Sequence, residues 1–190
     1  MTDHAAAADL LLKNWAATTR ITELPEALRP KSRGEGNDAA ATVAARSGST
    51  IAGWKIAATS EAGQKHINVD GPIIGRILKS RLMPEGASVT LGDNIMRVAE
   101  AEFAFGFAKD LAPRAAPYTQ DEVLDAVGSL HLSIEVPDSR YVDFTKVGAA
   151  QLIADTACAS WLVLGVAAGG VQCAPAFRCH RPAPWRSAWQ

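Results

Sequence analysis

At 190 residues, 48% hydrophobic and 21% charged, the chain has the make-up of one packed domain, which argues against a disordered or fibrous protein. A formal net charge of −1 argues against any broad attraction to nucleic acid or to an anionic membrane, so function has to sit in a local site. The three cysteines, Cys158, Cys173 and Cys179, are too few and too oddly placed for a disulfide framework, and reduced thiols fit a cytoplasmic protein.

The chain opens with "MTDHAAAADLLLKNW". Asp3 stands before the apolar run and no basic stretch does, so this reads as an amphipathic helix over Asp3 to about Thr18 and not as a signal peptide. "ELPEALRPKSRGEGND" is punctuated by Pro and Gly and reads as a connection, with an alanine-rich helix following from Ala39 to about Arg46. These parts form a helical N-terminal region over residues 1–50. From Ile51 the character changes. "IAGWKIA" suggests a strand, "GPIIGRIL" a turn leading into another, and "MPEGASVTLGDN" a turn-rich link.

"RVAEAEFAFGF", Arg97 to Phe107, alternates with period two. Ala99, Ala101, Phe103, Phe105 and Phe107 share one face, which is expected to pack, while Glu100 and Glu102 share the other. "YTQDEVLDAV" starts a helix with a capping box between Thr119 and Glu122, and Gly128 is a plausible stop. "LHLSIEV" alternates again, with His131, Ser133 and Glu135 on its polar face, and "WLVLG" reads as a short buried strand. The apolar stretch from Ala157 to Val171 falls short of the ~20 residues a spanning helix needs and is broken by glycines. No membrane partner is expected.

The segment 166–190 does not resemble what precedes it. Asp155 is the last acidic residue, and the segment itself holds two cysteines, three prolines, three arginines and two tryptophans in no periodic order. The expectation is that the reading frame is lost near Gly165 to Gly170, with a plain unstructured tail as the alternative. Cys173, Cys179 and His180 have no zinc spacing.

Carboxylates two residues apart on a strand sit on Cα atoms about 6.5 Å apart. Two ionised groups at that spacing repel unless something positive neutralises them, and a divalent cation does so well. Magnesium and manganese prefer such oxygen ligands, and Glu135 could add a third. An E-x-E pair can equally be a solvated outer face. Lys55 lies inside an otherwise apolar strand, where a lysine is costly unless it is paired, functional or snorkelling to the surface. Thr59 and Ser60 follow within reach of a ligand, although hydroxyls there also form turns. His66 and His131 carry no pattern that singles them out. No G-x-S-x-G, phosphate-binding loop or dinucleotide fingerprint is present.

Five motifs in order, "GWKIAATS", "VDGPIIGRIL", "RVAEAEFAF", "SIEVPDSR" and "LIADTACASWLVLG", resemble the 2-keto-4-pentenoate hydratases of the fumarylacetoacetate hydrolase superfamily, from about Gly53 to Gly165. The resemblance implies an α+β fold. N-terminal helices would precede a partial mixed β-roll of the fumarylacetoacetate hydrolase type, with the catalytic core over residues 51–165. It implies Mg²⁺ or Mn²⁺ on Glu100, Glu102 and Glu135, with Lys55 as the catalytic group; Thr59 and Ser60, from their place after the lysine strand, are expected near substrate. The implied reaction is hydration of 2-hydroxypenta-2,4-dienoate or its 2-oxo tautomer to a 4-hydroxy-2-oxo acid, in meta-cleavage breakdown of aromatic compounds. Two alternatives stay open: a 2-oxo-3-enedioate decarboxylase with the same motifs, and a catalytically inactive remnant. The implied partner is a small 2-oxo or 2-hydroxy acid, with a homo-oligomer expected at full length. The family often carries an aspartate after the lysine strand, where Ile73 and Ile74 stand here, and "ADN" where Ala154, Asp155 and Thr156 stand.

Overall fold

A computed structural model describes residues 3–168. The chain divides into two units, the first made of residues up to 102 together with 133–165, the second of residues 103–132 and those after 165. The expected tail over residues 166–190 lies almost wholly outside the described residues, as do Cys173, Cys179 and His180.

In the first unit, α1 spans His4–Ala17 and α2 spans Arg33–Arg46. Asp3 caps α1 by accepting from the Ala6 N–H at 3.0 Å. The helix α2 begins six residues before the expected Ala39, within the stretch read as a connection. Ser32 caps it by accepting from the Glu35 N–H, and the Glu35 carboxylate accepts from the Lys31 N–H. Gly36, read as a breaker, is buried inside this helix because a Cβ there would stand 2.4 Å from the Ala150 carbonyl oxygen. Ala150 belongs to α5, Gly148–Ala154, so the glycine permits a close helix approach. Ala7, Ala8, Leu11, Leu24, Val43 and Tyr141 form the buried cluster between these elements.

The strand β1, Ile51–Ala57, pairs antiparallel with β2, Ile73–Leu78, and Lys55 stands opposite Gly75. The short helix α3, Glu61–His66, connects them. A four-stranded sheet has the order β3-β6-β5-β4, with β3 at Leu82–Pro84, β4 at Glu100–Phe107, β5 at Val127–Val136 and β6 at Trp161–Ala167. Here β3 and β6 run parallel. This mixture of helices and mixed sheet is the expected α+β class.

Several local expectations are corrected. The strand β4 begins at Glu100 and not Arg97, whose φ of 48° breaks the extended run. The strand β6 is half-buried and longer than the expected short buried strand. In the second unit, α4, Gln120–Ala126, carries the capping box at Thr119 and Glu122. Gly128 does not stop it. The helix ends at Ala126 and the chain passes straight into β5, where a Cβ on Gly128 would meet the Ala108 Cβ at 2.8 Å. Phe103, Phe105 and Phe107, expected to pack, are 60%, 49% and 54% exposed. Alternation places them together but supplies no layer to cover them.

Candidate metal and substrate site

The site is built entirely within the first unit. Its base is Lys55 on β1. Gly75, opposite, has no side chain, and a Cβ there would stand 2.0 Å from the Thr156 carbonyl oxygen and 3.0 Å from the Lys55 Cγ. The missing side chain admits both that carbonyl and the lysine stem. Lys55 Nζ then reaches Glu135 Oε2 at 3.0 Å. The sequence left Lys55 open between snorkelling, pairing and function; the structure pairs it.

Glu135 is 1% exposed, and its second oxygen, Oε1, has no hydrogen-bond partner. Burial pushes its carboxyl above the ordinary range. The Lys55 ammonium draws it back, while the charges of Glu100 and Glu102 push it further up. Glu100 is half-buried and Glu102 exposed, and one carboxylate oxygen from each of the three glutamates lies within 4.8 Å of the others. Neighbouring oxygens on an octahedral ion of ~2.1 Å bond length lie about 3 Å apart, which is inside the span of these three. Three hard oxygen donors, one of them a buried carboxylate oxygen without a partner, fit a magnesium-like cation. The backbone supports the arrangement, since Ser133 Oγ donates to the Glu102 carbonyl at 3.3 Å.

Glu100, Glu102 and Lys55 open into a cleft of about 350 Å³. Its remaining wall includes Ile67, Ile73, Met96, Phe144, Leu152 and Ala157. Thr59 lines it too. Ser60 is not among the lining residues; its hydroxyl accepts from the Gly63 N–H at 3.1 Å and caps α3. His66 lines the cleft and stands edge-on to the Phe144 ring, with centroids 6.5 Å apart. His131 lies in the second unit, 2.9 Å from Ser129 Oγ.

Sequence reasoning missed what holds the floor of the cleft. Thr156, Ala157 and Cys158 are three successive left-handed residues, with φ of 52°, 51° and 62°. Such a run is costly for residues with a Cβ. It is pinned next to Asp155, which is fully buried and accepts from the Arg140 backbone N–H at 3.0 Å, from the Arg140 guanidinium, and from Ser139 Oγ at 3.3 Å. Burial raises the Asp155 carboxyl, and Arg140 counters it. Asp138 N–H in turn donates to the Cys158 carbonyl at 2.9 Å. "PDSR" and "ADTA" held the signal, but only as motifs without a geometry. Cys158, which lines the cleft, has its thiol pushed up to about 12 by burial.

No family profile matches the chain. Over 118 residues it is 33% identical to a 2-keto-4-pentenoate hydratase of Burkholderia vietnamiensis, an alignment covering 62% of this chain and 44% of that one. It is 31% identical over 119 residues to a 2-hydroxypent-2,4-dienoate hydratase of Pseudomonas putida, covering 62% and 52%. A 4-oxalocrotonate decarboxylase of a Pseudomonas species matches at 31% over 118 residues, covering 62% and 44%. The chain thus spans about half the length of the curated relatives it matches, or less. Among solved structures, 4-oxalocrotonate decarboxylase from Pseudomonas putida G7, complexed with magnesium and adipate, superposes with a TM-score of 0.74 at 22% identity. That match covers 85% of this chain and 62% of the other. The same enzyme complexed with calcium and acetate gives 0.71 at 22% identity, covering 85% and 61%. These likenesses establish a shared fold.

Proposed function

We propose, from the likeness in sequence to 2-keto-4-pentenoate hydratases and in fold to a 4-oxalocrotonate decarboxylase, that the site is that of a metal-dependent lyase acting on a 2-hydroxydienoate or its 2-oxo tautomer. The first reading is a hydratase adding water to 2-hydroxypenta-2,4-dienoate. The observation that carries it is the convergence of Glu100, Glu102 and Glu135 carboxylate oxygens, with Lys55 paired to Glu135 and with Glu100, Glu102 and Lys55 lining one cleft. That the fold neighbours are complexed with magnesium and with calcium supports a divalent ion, Mg²⁺ or Mn²⁺, on these glutamates.

When bound, such an ion supplies Lewis acidity that stabilises enolate charge. The protein's own residues do the rest. Glu135 holds Lys55 Nζ at 3.0 Å in the wall of the cleft, where the ammonium orients the substrate carboxylate and holds a transferable proton at Nζ. Protonation of the dienol at C5 gives the 2-oxo-3-ene, whose C4 is electrophilic through conjugation. Water adds at C4, C3 takes up a proton, and a 4-hydroxy-2-oxo acid results. Thr59 is within the lining to contact substrate. Ser60, occupied as a cap, would act by positioning α3.

A second reading, decarboxylation of a 2-oxo-3-enedioate, is favoured by the match to a 4-oxalocrotonate decarboxylase. Both readings are tested together. Calorimetric Mn²⁺ binding is compared between the wild type and the Glu100→Gln, Glu102→Gln variant, followed by turnover of the dienoate and the enedioate. Loss of binding in the variant and consumption of the dienoate are expected. Equal binding overturns the cation site, and CO₂ release without water addition overturns the hydratase.

A further inference from the structure

We infer that the recess beside Arg81 is a binding site for a small organic acid, held by its carboxylate and separate from the glutamate cleft. The two share no lining residue, so the inference does not rest on the cation reading. Arg81 ends a single turn, Lys79–Arg81, between β2 and β3. Two donations pin that turn, from the Lys79 N–H to the Thr50 carbonyl at 2.7 Å and from the Ser80 N–H to Ser49 Oγ at 3.0 Å. The parallel pairing of Leu82 with Leu162 then brings the neighbouring Arg81 alongside Trp161. Its guanidinium carbon lies 4.3 Å from the Trp161 ring centroid and 5.0 Å from that of Trp15.

Stacking on indoles positions this charge without neutralising it. The Trp15 ring also carries the Arg140 guanidinium, at 4.2 Å, and Arg140 is matched by the buried Asp155. Arg81 forms no ion pair with a described carboxylate. Asp138, the acid that attracts it from further off, is itself paired with Arg20. Burial, and then the Arg140 charge, disfavour the charged form of Arg81, and Asp138 counters them. A half-buried cation beside a second cation gains from a bound anion.

The recess, of about 180 Å³, supplies the remaining contacts. Leu12, Trp15, Ala16 and Leu78 give it apolar lining that suits a short alkyl body. Ser47 Oγ lines it but is committed, donating to the Ala44 carbonyl at 2.7 Å. Ser80 Oγ lines it with no hydrogen-bond partner among the described residues. One planar guanidinium and one hydroxyl match the two oxygens of a single carboxylate. A phosphate dianion would find one cation for two charges.

The experiment titrates pentanoate into the full chain with Mg²⁺ present and follows the ¹⁵N-labelled indole resonances of Trp15 and Trp161. Trp15→Phe and Trp161→Phe assign them. Both resonances are expected to shift together, and the uncharged pentan-1-ol is expected to bind about tenfold more weakly. Arg81→Lys, which keeps the charge and loses the fork, is expected to weaken pentanoate about fivefold. Ser80→Glu changes an exposed position on the turn and sets the chain's own carboxylate beside Arg81. It is expected to abolish the pentanoate shifts while the Trp54 resonance and the melting temperature show the fold intact, so the test does not depend on removing Arg81. No shift at Trp15 and Trp161, equal binding of pentan-1-ol, or undiminished binding in Ser80→Glu overturns the inference. Tighter binding of inorganic phosphate than of pentanoate overturns the carboxylate assignment.

Discussion

Lys55 Nζ lies 3.0 Å from Glu135 Oε2, and the two side chains are only 10% and 2% exposed. Each is the other's means of staying charged away from water. Removing one leaves the other uncompensated, so Lys55→Met is expected to destabilise the fold by ~3–5 kcal/mol at neutral pH. The double variant Lys55→Met, Glu135→Gln should recover part of that loss. Burial sets Glu135's native pKa above its unfolded value. Its protonated form therefore adds stability that is complete below the ordinary carboxylate range and is lost as pH rises through the raised value. Without Lys55 that value rises further. The deficit of Lys55→Met should then be smallest near pH ~4 and grow toward neutrality, which urea unfolding across the pH range will reveal.

Cation affinity should carry the same signature in reverse. The ionised form of Glu135 is the ligand, and burial with the neighbouring Glu100 and Glu102 charges disfavours that form. Mn²⁺ binding is expected to weaken as pH falls through the raised Glu135 value and to release protons in that window. Calorimetry in two buffers of different ionisation enthalpy measures the release directly, and identical heats in both would contradict it.

Gly75→Ala tests how the lysine is seated. A methyl group would stand 2.0 Å from the Thr156 carbonyl oxygen, a backbone atom that has no side-chain freedom with which to move aside. Overpacking of this kind costs ~1–3 kcal/mol, and here it also pushes on the Lys55 stem. A lower melting temperature together with weaker Mn²⁺ binding is the expected pair. Gly36→Ala, pressed against the Ala150 carbonyl, should lower stability alone.

Cys158 should be inert in the native protein. A thiol with a pKa of about 12 holds a thiolate fraction on the order of 10⁻⁴ at pH 8. Brief iodoacetamide treatment is expected to leave the Cys158 peptide unmodified by mass spectrometry, with full labelling after guanidinium unfolding. Rapid native labelling would show that the floor of the cleft opens.

Much of this was legible in the sequence, and the misses have physical reasons. Period-two alternation correctly put Glu100 with Glu102 and set Glu135 on the polar side of its own strand, because side-chain direction in a strand is local. It could not say whether Phe103, Phe105 and Phe107 meet a second layer, because coverage is a tertiary property. Gly36 was misread because a glycine inside a helix weakens propensity, and only the approach of α5 explains why one belongs there. Arg140 and Asp155 are separated by fifteen residues with no shared period, so nothing in local pattern announces their pairing.

The alternation of β4 has one more consequence. Sliding this strand by a single residue along β5 would deliver Ala101 and Phe103 to the places of Glu100 and Glu102. The acidic trio therefore exists in one alignment of the two strands, and an ion drawn to it would reward that alignment over its neighbours. Loading with a divalent ion would act as a proofreader of how the sheet is strung, at a place where bare aromatics on the reverse side offer little guidance of their own.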